Sequence, residues 1–356
     1  MTQVAWVKSL LDWFQSEQRA MPWRSNPKPY YVWVSEIMLQ QTQVATVIPY
    51  FERFIKSFPT VYDLAKADEQ RVLKAWEGLG YYSRARNLHK GAKLVVSEYN
   101  GQLPQTYEGL QAIPGIGPYC AAAISSIAFE LSVPVVDGNV LRVFARFWGI
   151  FDDIRQAKLR EVFFQKLSPY IQTAKPSDFN QAIMELGALV CKPKAPNCNS
   201  CPLSLSCFAF LENKIDDLPF KSKAKPVPHY NIAVAIIVKN GQFLIGRRHE
   251  KQMLGGLWEF PGGKQKENET LEETAIREVK EETNLSVSIQ HQFSAIKHAY
   301  THFKITLTAF LCSYESGKEE AKSATELKWV TLKQLDNYPF PKANSKIIEY
   351  LKAFRF

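Results

Sequence analysis

The sequence predicts a protein of two domains, an all-helical domain followed by an α/β domain, and three observations support this fold class. The chain of 356 residues is longer than one ordinary hydrophobic core accommodates. A stretch rich in proline and lysine, residues 213–229, separates apolar residues at helical spacing from apolar residues at strand spacing. We therefore expect a helical domain at 1–212, a linker at 213–229 and an α/β domain at 230–356.

The change of apolar period can be read from particular residues. In the N-terminal half, Val44, Val47 and Phe51 are spaced to lie on one face of a helix. In the C-terminal half, two apolar runs flank the turn dipeptide Asn240-Gly241, a pattern that predicts a β-hairpin.

The charge of the chain favours a polyanionic partner. The formal net charge is +9, and the positive excess extends over both halves and the linker, so it does not locate a binding face. No apolar run is long enough to span a bilayer. Because Met1-Thr2-Gln3 leads directly into an amphipathic helical pattern, we expect no signal peptide.

Four of the six cysteines lie in one short run, residues 191–207. They are Cys191, Cys198, Cys201 and Cys207, with six, two and five residues between them. Thiolates this close together can converge on one metal centre, and four of them complete the ligand set of an iron–sulfur cluster. Structural zinc and disulfide bonds are the alternatives that this spacing leaves open.

A second motif lies between two helical patterns at residues 113–119, which read Ile-Pro-Gly-Ile-Gly-Pro-Tyr. Gly115 and Gly117 allow the backbone to approach a phosphate, and the N-terminus of the following helix directs free N–H groups towards it. This favours a helix-hairpin-helix that binds the DNA backbone without reading sequence, although a plain turn between helices has the same pattern. Twenty residues beyond Gly117, Asp137 precedes another helix, where an ordinary helix cap is the default.

The hairpin, Asp137 and the cysteine loop, in this order, resemble the endonuclease III superfamily of base-excision glycosylases. The segments 34–44 and 78–88 further resemble adenine DNA glycosylases of the MutY type, and the resemblance covers nearly the whole chain. It implies a protein that removes adenine mispaired with 8-oxoguanine or guanine in double-stranded DNA. It also implies one 4Fe–4S cluster on the four cysteines, which organises a DNA-binding loop. Separately, we expect a monomer that is associated with the nucleoid through DNA. From the missing targeting signals and the reducing surroundings that cysteine ligands of a cluster need, we expect a cytoplasmic protein of a prokaryote.

The resemblance also assigns catalytic residues. Glu36 matches the acid that protonates adenine, and its apolar helical neighbours predict a raised pKa. Asp137 is expected to stay ionised and to stabilise an oxocarbenium-like sugar, as in glycoside hydrolysis. Asn139 and Tyr119 match positions that hydrogen-bond this site. Since bifunctional lyases of the superfamily have a nucleophilic lysine in place of Tyr119, we expect a monofunctional glycosylase.

A wider set of residues matches positions that contact the substrate. The target base must leave the stack and enter a pocket, to which Arg24 and Gln181 correspond. Other side chains insert beside the lesion and hold the duplex open. The matching residues are Gln41 and Tyr81 as inserted side chains, Leu79 and Thr42 near the opposite base, and Tyr300, Thr301 and His302 as a recognition loop.

One stretch of the C-terminal half, residues 263–284, is similar to a Nudix box. The matching residues are Gly263, Glu269, Arg277, Glu278, Glu281 and Glu282. One helix face would present the last three glutamates to Mg²⁺ and a pyrophosphate. Only Asn284 departs from the box, in place of glycine, and asparagine tolerates a left-handed backbone.

Two functions are open for this Nudix-like domain. In adenine glycosylases it has usually lost the metal-binding residues and recognises 8-oxoguanine. With the glutamates present, it could also hydrolyse a nucleoside triphosphate such as 8-oxo-dGTP.

Two other classes are alternatives for the whole protein. A thymine-glycol-type glycosylase/lyase is opposed by Tyr119 and by the C-terminal domain. A mismatch-sensing DNA-binding protein without catalysis is opposed by the presence of both Glu36 and Asp137.

Overall fold

The computed structural model describes residues 5–223, 226–300 and 302–354. The chain forms two compact units, one of Met1–Lys66 with Asn87–Ala224 and the other of Ala67–Arg86 with Lys225–Phe356. The segment 67–86 falls inside the domain predicted at 1–212, and the structure packs it with the C-terminal residues. The predicted linker includes residues 224 and 225, which lie outside the described residues.

Between residues 5 and 223 every regular element is a helix, which confirms the predicted class of the N-terminal half. The α-helices are α1 (Ala5–Glu17), α2 (Pro22–Ser25), α3 (Pro29–Leu39), α4 (Val44–Ser57), α5 (Val61–Lys66), α6 (Glu69–Trp76), α7 (Ser83–Glu98), α8 (Tyr107–Gln111), α9 (Pro118–Phe129), α10 (Gly138–Trp148), α11 (Ala157–Ile171), α12 (Pro176–Leu189) and α13 (Phe208–Leu211). Two 3₁₀ helices, Cys198–Ser200 and Ser204–Ser206, lie between α12 and α13. Helix α6 belongs to the second unit, where α7 also begins.

Helices α3 and α9 form the centre of the first unit. Both are apolar on nearly every side, and residues 32–38 of α3 are all buried. A helix that is apolar all round is stable only when neighbours cover it, and α3 and α9 pack against each other. The burial of α3 has a functional consequence, because it carries Glu36 into the interior. Among the described residues, no helix combines the length and apolar character needed to cross a membrane.

The second unit contains a sheet with helices on its two faces. Its strands are β1 (His229–Lys239), β2 (Gln242–Arg248), β3 (Trp258–Glu259), β4 (Gly262–Lys264), β5 (Ser286–Ala299), β6 (Lys304–Ser316) and β7 (Ala324–Thr331). The strand order is β3-β2-β1-β6-β5, with β4 also paired to β1 and β7 to β2. Strands β1 and β6 are parallel, and the other pairs are antiparallel. Helices α14 (Leu271–Thr283) and α15 (Lys342–Ala353) and a 3₁₀ helix, Gln334–Asn337, complete the unit.

Alternation along β1 divides the core of this unit into two clusters. Ile236 packs in one cluster with Ile347 of α15, whereas Ala235 packs in the other with Val279 of α14. Successive strand residues point to opposite faces of a sheet, so the two helices cover opposite faces. The predicted α/β class of the C-terminal half is confirmed.

Two left-handed asparagines mark turns that the sequence predicts. Asn240 and Gly241 have φ values of 51° and 72°, and they connect β1 to β2 with Val238 opposite Phe243, as expected for a hairpin. Asn284, with φ 61°, ends helix α14 in the left-handed conformation that the box glycine would supply.

Candidate active site

A cavity of about 520 Å³ opens in the first unit between α2, α3, α9, α10 and α12. Its walls include seven of the residues that the sequence assigns to catalysis or substrate binding: Arg24, Glu36, Thr42, Tyr119, Asp137, Asn139 and Gln181. These residues are distributed over more than 150 positions of the chain, and the helical packing brings them to one place.

Glu36 is the buried carboxyl group of this cavity. Its side chain lies on α3 and is 3% exposed, and the Tyr119 hydroxyl donates a hydrogen bond to Oε2 at 3.0 Å. Burial raises the pKa of Glu36 to about 7, with a further increase from Asp137 and opposing effects from Tyr119 and Arg24. The predicted increase in pKa is confirmed, and a substantial fraction of Glu36 is protonated at neutral pH.

Asp137 caps helix α10, as the default interpretation predicts, and its side chain also lines the same cavity. Its Oδ1 accepts a hydrogen bond from the Val140 N–H at 2.7 Å, and Oδ2 accepts one from Asn139 Nδ2 at 2.9 Å. Burial raises the pKa of Asp137 above its usual value, while these donors and the charge of Arg142 lower it. The expected ionised state of Asp137 therefore depends on its hydrogen bonds, because burial alone opposes it.

Arg24 and Gln181 lie in contact on the cavity wall. Arg24 Nε donates to Gln181 Oε1 at 2.7 Å, and Arg24 Nη2 donates to Glu185 Oε2 at 3.0 Å. Glu185 also accepts a hydrogen bond from Arg19 Nε at 2.7 Å. Burial acts to raise the pKa of Glu185, but the two arginines outweigh burial and lower it to about 2. Glu185 therefore fixes Arg24 at the cavity as a permanent anion.

Sequence reasoning did not identify Glu185 or Arg142. Arg142 Nη2 donates to Asn139 Oδ1 at 2.8 Å, and Arg142 Nε donates to the Cys191 carbonyl at 2.8 Å. One buried guanidinium therefore joins the amide beside Asp137 to the start of the cysteine loop. The three-residue spacing from Asn139 places Arg142 on the same helix face, and this signal could have found it. No local pattern pairs Glu185 with Arg19, which lies 166 positions away.

All four cysteines of the run 191–207 line one small hollow beside Arg146. No disulfide bond joins these four described cysteines. Arg146 fixes the loop from inside, since its Nη1 donates to the Lys192 carbonyl at 2.8 Å and its Nε to the Leu218 carbonyl at 2.7 Å. Among the described residues, no three His, Cys, Asp or Glu side chains form a group that could hold a metal ion. The four cysteines around this hollow are nevertheless the number and type of residues that an iron–sulfur cluster uses as ligands.

The glycines of the predicted hairpin lie in the turn between α8 and α9. Gly115 has φ 86°, and a Cβ there would lie 2.8 Å from Asn87 Cβ, so both conformation and space require glycine. Gly117 precedes α9 as its N-cap, and a Cβ there would meet no atom within 4 Å. This geometry leaves the backbone at the start of α9 accessible to a phosphate.

The predicted lesion-facing residues occur in both units. In the first, Gln41 is exposed with φ 57° in the turn after α3, next to Thr42. In the second, Leu79 is buried, whereas Tyr81 is 40% exposed with φ 48°, as expected for an outward-facing side chain.

The predicted recognition loop lies between β5 and β6. Tyr300 packs against Phe303, with ring centroids 4.9 Å apart, and His302 is exposed. Thr301 lies outside the described residues.

The second unit has its own pocket, of about 470 Å³, lined by Glu278 and Glu282. A Cβ at Gly263 would lie 2.3 Å from Glu278 Cδ, so the box glycine is required by this close approach. Burial raises the pKa of Glu282 to about 7, and its Oε2 accepts a hydrogen bond from the Gly262 N–H at 2.9 Å. Glu281 is more exposed and pairs with Arg277 at 3.0 Å, away from the pocket walls. The structure therefore brings two of the three predicted Mg²⁺ ligands to the pocket.

A helical fold with a glycine hairpin, a carboxyl-lined cavity and a cysteine loop defines the class of helix-hairpin-helix DNA glycosylases. Residues 34–169 match the family model described as HhH-GPD superfamily base excision DNA repair protein, and residues 233–350 match that of the NUDIX domain. The solved structure of a thermostable thymine-DNA glycosylase is 27% identical with a TM-score of 0.53, covering 58% of this chain and 95% of that one.

Curated relatives narrow the class to one family. The adenine DNA glycosylase of Rattus norvegicus is 32% identical over 99% of this chain and 78% of its own length. That of Buchnera aphidicola subsp. Schizaphis graminum is 33% identical over 99% of this chain and 100% of its own length. The chain belongs to the adenine DNA glycosylase family.

Proposed function

We propose that this protein removes adenine from mismatched duplex DNA by acid-catalysed hydrolysis of the N-glycosidic bond. The single observation that supports this most directly is the pair Glu36 and Asp137 on one cavity, with the pKa of Glu36 raised to about 7. A cavity of about 520 Å³ has room for an extruded base. Membership of the adenine DNA glycosylase family indicates that the base removed is adenine.

The mechanism divides the work between the two carboxyl groups. Protonated Glu36 donates its proton to N7 of the extruded adenine, so the base leaves as a neutral molecule when the glycosidic bond breaks. Asp137 as carboxylate stabilises the positive charge that develops on the sugar, and its hydrogen bonds to Val140 and Asn139 hold it in place. The Glu36 carboxylate then accepts a proton from the water that adds to the sugar.

Tyr119 orients the carboxyl group of Glu36 and forms no covalent intermediate with the sugar. Its hydroxyl donates to Glu36, and burial raises the pKa of Tyr119 well above its usual range, so the neutral phenol is the donor. A phenol cannot form the Schiff base through which a lyase cuts the strand. We therefore propose that the product is an intact strand with one abasic site.

The proposed substrate is adenine opposite 8-oxoguanine or guanine in duplex DNA. We propose that the protein acts as a monomer in the cytoplasm. Exposed Gln41 and Tyr81, both with a left-handed backbone, are suited to insertion beside the lesion. The loop 300–302 is proposed to read the opposite base.

The cysteine loop is proposed to hold one 4Fe–4S cluster through Cys191, Cys198, Cys201 and Cys207. When bound, the cluster would fix the shape of this loop, and it takes no part in base removal. Arg146 would place a positive charge next to the ligand sulfurs, since its Nη1 lies 3.4 Å from Cys191 Sγ.

The test uses the purified protein and a duplex with one adenine opposite 8-oxoguanine, with samples run on neutral and alkali-treated gels. We expect cleavage of the adenine strand only after alkali. Cleavage without alkali would show that another residue acts as a lyase. No cleavage despite tight binding would favour the mismatch-sensing alternative.

A second candidate function, hydrolysis of 8-oxo-dGTP in the second unit, is favoured by the close packing of Gly263 on Glu278 in a pocket that Glu282 also lines. Mg²⁺ would bind these carboxylates and neutralise the pyrophosphate. Release of pyrophosphate by the purified protein with Mg²⁺, lost in Glu278→Gln, would support the activity. Equal release from the protein and the variant would remove it.

A further inference from the structure

The segment 67–86, which carries Tyr81, is anchored in the second unit by helix α6. Gln70 Oε1 accepts a hydrogen bond from the Trp258 indole at 2.9 Å, and Gln70 Nε2 donates to the Gly256 carbonyl at 3.0 Å. An amide that is bonded at both ends has one orientation. Gln70 therefore fixes α6 against strand β3 and the loop that precedes it.

Three side chains, one at the end of α6 and two after it, contact the segment Tyr338–Phe340, which precedes α15. Lys74 Nζ donates to the Tyr338 carbonyl at 2.9 Å, and Glu77 Oε1 accepts from the Phe340 N–H at 2.9 Å. The Tyr82 hydroxyl donates to the Phe340 carbonyl at 3.2 Å. Glu77 and Tyr82 lie on the two sides of the turn 78–81, so both ends of this turn are attached to Phe340.

The turn itself has an unusual backbone. Gly78, Gly80 and Tyr81 have φ values of 93°, 77° and 48°. A left-handed conformation is unfavourable for a bulky residue such as tyrosine, and it persists only where the surrounding structure imposes it. The Tyr82 hydroxyl also accepts a hydrogen bond from the Gly78 N–H at 3.1 Å. One phenol therefore bridges the start of the turn to Phe340.

Tyr81 is held from the inner side of the turn. The Arg84 guanidinium lies 5.3 Å from the Tyr81 ring and 5.5 Å from the Trp76 ring. Arg84 Nη2 and Trp76 Nε1 both donate to the Gly80 carbonyl, at 3.2 and 3.1 Å. The Tyr81 ring is nonetheless 40% exposed, so these contacts orient it without covering it.

We propose that Tyr82 is a positioning residue for adenine removal, whose hydroxyl joins Gly78 to Phe340 and so holds Tyr81 ready for insertion into the duplex. This inference rests on the proposed function, in which Tyr81 inserts beside the lesion. The turn 78–81 and the recognition loop 300–302 belong to the same unit. We therefore infer that the second unit both reads the opposite base and inserts Tyr81.

The test is Tyr82→Phe, which removes only the bridging hydroxyl. Equilibrium binding is measured on a duplex with 8-oxoguanine opposite a non-cleavable adenine analogue, and 2-aminopurine beside the lesion reports unstacking. Loss of one hydrogen-bonding group should weaken mismatch binding about fivefold and reduce the unstacking signal. In a Tyr81→Ala background the same substitution should have no further effect, because Tyr82 acts through Tyr81.

Two further variants control this experiment. Tyr314→Phe also removes a hydroxyl from the second unit, one that donates to the Gly317 carbonyl at 2.8 Å, and it should bind like the wild type. Glu77→Ala removes the acceptor on the other side of the turn, and it should reproduce the Tyr82→Phe defect. Should Tyr82→Phe lower the melting temperature, Glu77→Ala tests whether attachment of the turn 78–81 to Phe340 positions Tyr81, because Glu77 Oε1 accepts a hydrogen bond from the Phe340 N–H.

The outcomes separate this inference from the proposed function. Wild-type protein that releases no adenine overturns both. Active wild-type protein together with unchanged binding by Tyr82→Phe overturns only the role of the bridge. Effects of Tyr82→Phe and Tyr81→Ala that add fully would also overturn it, since Tyr82 would then act independently of Tyr81.

Discussion

Two buried glutamates of the first unit, Glu36 and Glu185, lie on the same cavity and have opposite protonation behaviour. Burial acts to raise the pKa of both, and it raises that of Glu36 to about 7. Arg19 and Arg24 contact Glu185 directly and lower its pKa to about 2, whereas Glu36 receives its nearest hydrogen bond from a neutral phenol. The comparison shows that direct contact with an arginine guanidinium decides which carboxyl group stays an anion. A buried carboxyl group without such a contact can be protonated and can transfer its proton.

The largest effect is expected when the proton donor is removed. Glu36→Gln keeps the size of the side chain, so adenine release from an 8-oxoguanine mismatch should fall at least about 100-fold while binding to the mismatch is retained. Single-turnover assays and gel shifts measure the two properties. Glu98→Gln, at an exposed glutamate near the end of α7, is the control and should be fully active. Loss of binding together with activity would show that Glu36 is structural.

The two glutamates should also differ in their contribution to stability. The pKa of Glu185 is lowered by folding, so its stabilisation is present above its usual value of 4.5 and is lost as the pH falls towards 2. At neutral pH, Glu185→Gln should lower the free energy of unfolding by about 2 kcal/mol, less than a fully buried pair because Arg19 is partly exposed. Urea unfolding measures this.

The matched substitution Glu36→Gln should change the free energy of unfolding in the opposite direction. The pKa of Glu36 is raised by folding, so its stabilisation is present below 4.5 and is lost as the pH rises through about 7. Glu36→Gln should therefore be more stable than the wild type at alkaline pH. Destabilisation by both substitutions at alkaline pH would contradict the comparison.

The smallest effect is expected in the pH dependence of the wild-type rate. Glu36 acts as an acid only when protonated, so the single-turnover rate should fall as the pH rises through about 7. Well above that value the decrease should approach about tenfold per pH unit. A rate that stays constant across this range would mean that another group supplies the proton.

Local patterns were enough to predict several features of this protein. The Asn240-Gly241 hairpin, the cysteine run and the glycine hairpin each involve residues close in sequence, where backbone preference and ligand spacing act directly. The apolar neighbours of Glu36 also predicted its burial and raised pKa, since the helix that carries it is apolar on nearly every side.

Pairings between distant residues could not be predicted in this way. The amphipathic pattern of α6 shows that one face is buried, but it does not say that Gln70 meets Trp258, 188 positions away. An apolar helix face must be buried against another surface, but its pattern does not identify that surface, because many apolar surfaces can cover it equally well. The place of residues 67–86 in the second unit became visible only in the packed structure.

The sequence by itself determined the helical and α/β halves, the turns, the four-cysteine loop and the residues that resemble the glycosylase site. These features depend on spacing along the chain, which folding does not change. The tertiary structure alone decided that Glu185 is held as an anion by two arginines, and which unit holds Tyr81. Both depend on interactions within a few ångströms between residues far apart in the chain, because burial and the proximity of a guanidinium set a pKa, and packing sets the partner of a helix face.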